Sequence, residues 1–392
     1  MGSKNRYLIL IILSFHAVMN AQEASDYKYI DSLTYACYNS RDWNKLIEVG
    51  QDAIAEGIDY KYLRQRLGYA YFSKGDYFEA RSQFEKALSF DNYNSFSLEY
   101  LYYSNLYTGK EEYTGVFSGR LNPELRKKLS VSPFKPLESI ELEYNFKFAV
   151  TAHRSNPQYY RFGINTKLGY RLSLYQSFSN YKQEIMIQQI GTNKNTSVKQ
   201  PEYYALLKWN ASSHLMLKTA YHFINTTSES SLTNGNLLLF AIAPDFNRFS
   251  LETYGSILSV GKDLIYQAGV QTGYVFPGRI NFSLTGTVSR LFQQNNSRFI
   301  YTQKAGLKVL KQAWIEGNVT FGRMTGYNDY NGLYVYNTFD PMTFRTGATM
   351  IYYLGKNIAL WANYSYERKE NFENSSFHYN QFSYLGGIKW KL

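Results

Sequence analysis

The sequence predicts an α + β multidomain chain: a short array of α-helical hairpins, then an antiparallel transmembrane β-barrel of about fourteen strands, or about twelve if 235–259 is loop. Three observations predict it. From Glu141 onward, apolar and polar residues alternate with period two in strand-length segments separated by turn residues. Aromatic residues, 18% of the chain, favour the apolar face, and charge is kept to the other. From Asp26 to about Leu129 the period is helical instead.

Composition narrows the class. The chain has 392 residues, enough for two domains, and its 39 Tyr are well above ordinary usage. Mean hydropathy is negative, which argues against a helical membrane protein but not against a barrel, where only alternate residues meet lipid. The formal charge is +11, of which Lys4 and Arg6 contribute two units. Lys and Arg are spread along strands and turns without forming a stripe, so nucleic acid is not the expected partner. A basic lumen, or contact with anionic lipid or glycan, fits better. The single cysteine, Cys37, permits no internal disulfide and no cysteine-rich metal site. No cofactor and no metal are expected.

Residues 1–21 read as a secretory signal: Lys4 and Arg6, an apolar run from Tyr7 to Phe15, then Met19-Asn20-Ala21. Residues 22–129 form the helical domain. Leu67, Gly68, Tyr71, Gly75, Ala80, Phe84 and Ala87 carry the spacing of a tetratricopeptide repeat, small residues where two helices touch and large ones between. At the repeat period of about 34 residues, Asp42-Trp43 match Asp76-Tyr77, Ala53 matches Ala87, and Leu101 and Gly109 match Leu67 and Gly75. Leu46 and Gly50 depart from the pattern, and a short helix from Pro123 to Leu129 closes the domain. Its aromatic residues read mostly as hairpin core. The concave face of such an array is where a periplasmic partner protein is expected.

Residues 130–137, with Pro133 and Pro136, read as an extended linker, and 138–392 as the barrel. The first strand alternates Leu142, Tyr144, Phe146, Phe148 and Val150 with Glu141, Glu143, Asn145 and Lys147. Further strands are expected at 158–168, 172–191, 200–210, 214–227, 235–243, 248–259, 263–275, 280–293, 299–310, 313–326, 342–354, 358–370 and 378–392. Tight turns, such as Gly169 to Arg171 and Gly355 to Asn357, alternate with polar stretches, Thr192 to Lys199, Thr227 to Asn234 and Gly326 to Pro341 among them. Tight turns face the periplasm in bacterial barrels, which places the helical domain and the C-terminus there. In the last strand Phe382, Tyr384, Gly386, Ile388, Trp390 and Leu392 share the apolar face. Tyr384, Ile388, Trp390 and Leu392 resemble the terminal signature read by the barrel-assembly machinery, although Leu392 stands where Phe or Trp is usual and Trp390 partly makes this good; outer-membrane lipid is the expected surroundings of the barrel.

With these phases, the inward face holds Glu141, Glu143, Lys147, Arg161, Lys167, Glu202, Lys208, Lys218, Glu252, Lys304, Lys308, Glu316, Arg345, Glu367 and Lys389. Facing lipid, each Lys or Arg would cost about 2 to 4 kcal/mol. Mixed signs favour pairing across a narrow wet interior over a selective pore, which usually shows a ring of one sign. A conduit for a polar or anionic chain such as a polysaccharide is the competing use.

The order of leader, repeats and barrel, with patterns such as Tyr159-Tyr160-Arg161-Phe162-Gly163 and Tyr274-Val275-Phe276-Pro277-Gly278-Arg279, resembles the YaiO family of outer-membrane proteins. Its plan is also similar to exporters of alginate, poly-N-acetylglucosamine and cellulose. The YaiO-like grouping itself implies no established activity; a protein-binding repeat joined to a charged lumen, a plan similar to those exporters, leads to the expectation of a non-enzymatic anchor or conduit in cell-surface polysaccharide assembly or export, with a closed-barrel scaffold for an envelope complex as an alternative. His153-Arg154-Ser155-Asn156 resembles the His-x-Ser-Asn run of outer-membrane phospholipase A, where His activates a Ser nucleophile. That family presents the pair toward lipid, whereas His153 and Ser155 continue the inward phase of Glu141 to Lys147. His214, at a turn, His222, in the lumen, and His378 show no metal-ligand spacing.

Overall fold

The computed structural model describes residues 26–151, 154–189, 192–228, 231–278, 280–294, 296–337, 340–371 and 376–392. The expected leader, His153 and Arg279 lie outside these residues. The chain divides into two compact units, one ending at Ser130 and one beginning at Val131.

The first unit is helical: α1 (26–40), α2 (Trp43–Ala55), α3 (Lys61–Ser73), α4 (Tyr77–Phe90), α5 (Ser95–Tyr107), a 3-10 turn (Glu111–Thr114), α6 (Gly115–Ser118) and α7 (Pro123–Lys128). The equivalence of Asp42 and Asp76 has a physical meaning. Each caps a helix, its carboxylate accepting the backbone N–H of Lys45 or Glu79, which supplies a partner to an otherwise orphaned donor. Asn94 and Asn122 cap α5 and α7 in the same way. Gly75 ends α3 at φ +82°, a conformation other residues adopt only with strain. A side chain at Gly68 would lie 2.8 Å from the Phe84 ring, and one at Gly50 2.7 Å from Leu67. These glycines let α3 pack closely on α4 and α2. Leu46, Leu63, Leu67, Phe84 and Leu98 fill the space between helices and are fully buried.

In the second unit, fourteen antiparallel strands close into a barrel. They are β1 (Lys135–Ala149), β2 (Gln158–Lys167), β3 (Leu172–Gln189), β4 (Thr192–Ser212), β5 (Leu215–Ser228), β6 (Ser231–Phe246) and β7 (Phe249–Val260). Then follow β8 (Asp263–Val275), β9 (Ser283–Gln293), β10 (Asn296–Leu310), β11 (Ala313–Phe321), β14 (Met342–Leu354), β15 (Ile358–Glu370) and β16 (His378–Lys391). Two short strands, β12 (Tyr327–Asp329) and β13 (Tyr334–Tyr336), pair only with each other. Closure is made by β1 against β16, in a register that sets Leu142 opposite Ile388 and Glu141 opposite Lys389.

The two barrel faces differ as the alternation requires. Leu142, Tyr144, Phe178, Leu238, Phe299, Tyr364 and Tyr384 are exposed on the outside, whereas Ser139, Ser179, Gln267, Thr302, Ser365 and Gln381 are buried on the inside. At three inward glycines a neighbouring ring occupies the space a side chain would take: Tyr175 at Gly163, Tyr254 at Gly269 and Trp361 at Gly387.

Three features correct the expectations, and one settles an alternative. The first strand begins at Lys135, inside the stretch read as linker. Thr192 to Lys199 and most of Thr227 to Asn234 are strand, not loop. Polar content misled there, because inward positions of a barrel strand are polar by design. The stretch 235–259 is two barrel strands, as expected, so the count is fourteen and not the alternative twelve. The strand expected to run to 326 stops at Phe321, and Gly326 to Pro341 is not a simple outer loop.

Candidate functional site

The segment between β11 and β14 folds back into the barrel. After Phe321 the chain leaves the wall, forms the hairpin β12–β13, and rejoins the wall at Met342. Tyr330, Asn331 and Gly332 at its tip all have positive φ (51°, 60° and 83°). A bulky residue such as Tyr330 takes this conformation only when its surroundings hold it there.

Polar contacts hold the hairpin to strands all round the barrel. Asn328 is gripped by β7 and β8: its Nδ2 donates to Ser256 Oγ at 2.8 Å, and its backbone N–H and C=O pair with the Gln267 amide, each at 3.0 Å. From β4 the Tyr204 hydroxyl donates to the Asn331 carbonyl at 2.9 Å. On β5, His222 Nδ1 meets the Gly332 carbonyl at 2.8 Å and its Nε2 meets Glu202 at 3.3 Å. Opposite them, the Tyr334 hydroxyl donates to Glu143 of β1 at 2.8 Å, and Arg345 of β14 donates to the Tyr336 hydroxyl.

The inner wall is itself divided. From β4 to β10 its middle is apolar, with Leu237, Leu239, Leu258, Ile265, Leu291 and Ile300 buried against Met324, Tyr327, Leu333 and Val335 of the inserted segment. Tyr327 is 1% exposed and stacks on Tyr336 with ring centroids 5.8 Å apart. Burial of this surface is the hydrophobic part of what holds the hairpin inside.

Charged side chains line the inner surface beside and beyond this apolar patch, most of them paired. Arg161 bridges Glu143 at 2.8 Å and Glu141 at 3.5 Å, and Lys389 reaches Glu141 at 3.0 Å. Lys147 holds Glu367 at 2.8 Å. On β5, Lys218 bonds Glu252 at 2.6 Å and reaches Asn331 Oδ1 at 3.4 Å. Lys304 lies over the Tyr330 ring at 4.0 Å. Thus Lys389, Glu141, Arg161 and Glu143 form a chain of ion pairs that reaches Tyr334, whereas Lys218 with Glu252, Lys304 and Arg345 each meet the hairpin at a different residue, and Lys147 pairs with Glu367. Lys167, Lys208, Lys308 and Glu316 sit half-buried on inward positions nearer the tight turns.

Other expected sites are placed as follows. Ser155 Oγ accepts the backbone N–H of Glu184 at 2.8 Å, and Asn156 Oδ1 that of Ala149 at 3.3 Å, so both are occupied as backbone partners; His153 lies outside the described residues. Leu67, Gly68, Tyr71, Ala80, Phe84 and Ala87 are buried between helices. Tyr384, Trp390 and Leu392 are exposed on the outer face, with Ile388 half-buried beside them. Among the described residues no group of three or more His, Cys, Asp or Glu is arranged to hold a metal.

Sequence reasoning missed Asn328, Asn331, Tyr334 and Tyr336, and with them Arg154, Asp340 and Lys369. Two signals pointed to the insertion: the abundance of tyrosine in 326–341 and the apolar residues on both faces of 237–242.

No family model matches this chain, and no curated protein matches it. Solved structures that resemble it include a KdgM porin (11% identity, TM-score 0.34, covering 64% of this chain and 99% of that one). A bacterial polysaccharide outer membrane secretin matches at 7% identity, TM-score 0.42, over 66% of this chain and 99% of its own. A TodX monoaromatic hydrocarbon channel mutant lacking S2 and S3 matches at 8% identity, TM-score 0.44, over 67% of this chain and 91% of its own. Likeness at this level says nothing about cargo.

Proposed function

We propose that this protein is an outer-membrane barrel, closed at rest by its own inserted hairpin, that serves as a gated conduit in the assembly or export of a cell-surface polysaccharide. The helical unit docks a periplasmic partner whose binding favours the open state. The observation that carries this reading is the hairpin bonded to β1, β4, β5, β7, β8 and β14 at once. Among the described residues it pairs with no barrel strand, so its departure would break side-chain contacts and leave the barrel's backbone ladder intact. Away from the apolar patch that the hairpin covers, hydroxyls, amides, tyrosines and paired charges on the inner surface offer partners to a hydroxyl-rich chain.

The experiment is uptake of labelled acidic and neutral oligosaccharides into liposomes bearing the full chain, or a variant with Gly326 to Asn337 replaced by a short Gly-Ser linker. Uptake only by the variant supports the reading. Exclusion by both forms shifts the function to a closed scaffold for an envelope complex.

A further inference from the structure

On the outer face of the barrel, where β14, β15, β16 and β1 lie side by side, is a groove of about 540 Å³. Ala348, Ala362 and Gly386 form its floor, and the exposed rings of Tyr144, Tyr364 and Tyr384 stand beside them. The register sets Ala362 opposite Gly386, and Gly386 opposite Tyr144. A side chain added at Gly386 would meet nothing within 4 Å, so the hollow opens outward. An empty hollow forfeits dispersion contacts on its lining. On a lipid-facing wall two things fit it, an acyl chain or the wall of a second copy. Arg368 decides between them. It lies on β15 six residues beyond Ala362 and on the same outward face, exposed, between the buried Glu367 and Lys369. Among the described residues no ion pair or hydrogen bond engages its guanidinium, and Glu370, two residues on, is held by Arg323 at 2.7 Å. Six residues of strand rise about 20 Å, which a tilt of about 40° reduces to about 15 Å along the membrane normal. That is half of a hydrocarbon core of about 30 Å, the depth of one leaflet. A second copy in the same membrane would bring its own Arg368 to the same level, like charge against like. A lipid with an anionic head brings the opposite charge.

We propose that this groove is a binding site for an anionic lipid, one acyl chain lying over Ala348, Ala362 and Gly386 and the phosphate of its head paired with Arg368. A guanidinium offers a phosphate two parallel hydrogen bonds, so the head is oriented as well as attracted. Near the membrane surface an outward Arg costs little, which is where this one stands relative to the groove. The site takes the wall as lipid-facing and is independent of any cargo in the lumen.

The test is native mass spectrometry of the detergent-purified full chain, offered phosphatidylglycerol and phosphatidylcholine with identical chains and, separately, glycerol phosphate. Phosphatidylglycerol is expected to be retained at least threefold more than phosphatidylcholine, and glycerol phosphate not at all. Arg368→Gln is expected to remove the preference between the two lipids, and Gly386→Leu, which fills the groove, to lower retention of both at least threefold. Heat-dependent gel migration verifies that each variant is folded, and Ala362→Leu serves if the Gly386 variant is not. Retention of phosphatidylglycerol that neither substitution changes overturns the site. Glycerol phosphate held as well as the lipid overturns the role of the groove. A dimer that Gly386→Leu dissolves, with no retained lipid, overturns the lipid in favour of a second copy. None of these readings depends on whether the hairpin closes the lumen, so failure here leaves the gate standing.

Discussion

Arg154 holds Asp340 through two parallel hydrogen bonds, Nε to Oδ2 at 2.8 Å and Nη2 to Oδ1 at 3.1 Å, with both side chains 5% exposed or less. Arg154 lies between β1 and β2, bridged to Ile185 of β3, whereas Asp340 follows the inserted hairpin. The Tyr379 hydroxyl of β16 donates to the same Asp340 carboxylate at 2.7 Å. The exit of the hairpin is thereby fastened across the seam where the barrel closes. A bidentate guanidinium–carboxylate pair fixes direction as well as distance, which suits it to a latch.

Arg154→Ala removes the guanidinium that holds the buried Asp340 carboxylate from two sides, a change that costs about 3 to 5 kcal/mol. The loss is expected to fall on the hairpin rather than the barrel. Hydrogen exchange is expected to show faster exchange at 327–336, with the amides of β1 and β16 unchanged.

Gly332 has φ +83°, and a side chain there would lie 2.7 Å from Leu237 Cδ2. Gly332→Ala combines backbone strain with overpacking, at about 1 to 3 kcal/mol. The expected outcome is more frequent opening in channel recordings while the folded barrel's gel migration is retained.

Removing Arg161 strips Glu143 of its guanidinium partner and Glu141 of one of its two cations. Arg161→Met is expected to destabilise by about 3 to 5 kcal/mol. The midpoint of heat-induced loss of the compact gel form should fall, and Glu143→Gln in the same chain should restore part of it.

The helical unit carries an alkaline limit. Burial pushes the Tyr60 hydroxyl up to about 12, and it donates to Asp31 at 3.0 Å. Between pH about 10, where an unfolded tyrosine ionises, and about 12, the folded unit holds more protons than the unfolded one, so stability falls as pH rises. Below that window Tyr60 adds no pH dependence. Far-ultraviolet dichroism of the full chain should lose its helical signal across this range, and Tyr60→Phe should move the loss to higher pH.

Much of the barrel was legible because its signal is local. Alternation in Leu142 to Val150 or Phe382 to Leu392 reports which side of a wall each residue faces, and antiparallel neighbours joined by tight turns leave little choice of partner. The inward positions of the charged residues followed from the same parity. The hairpin was not legible, since its contacts join residues far apart: Tyr334 with Glu143, and Arg154 with Asp340. Parity gives the face of a residue but not what stands opposite it across the lumen. For that reason Leu237 and Leu239, apolar at inward positions, marked the weakest stretch of the strand reading; they are apolar because Tyr327 and its neighbours cover them.

The central claim is that the inserted hairpin closes the barrel. Single-channel recording in planar bilayers compares the full chain with the variant carrying a Gly-Ser linker in place of Gly326 to Asn337, after gel migration has verified that both are folded. The account predicts a silent full chain with rare brief openings and a variant with steady open conductance. Equal steady conductance in both forms would contradict it, because the hairpin would then leave the conduit open.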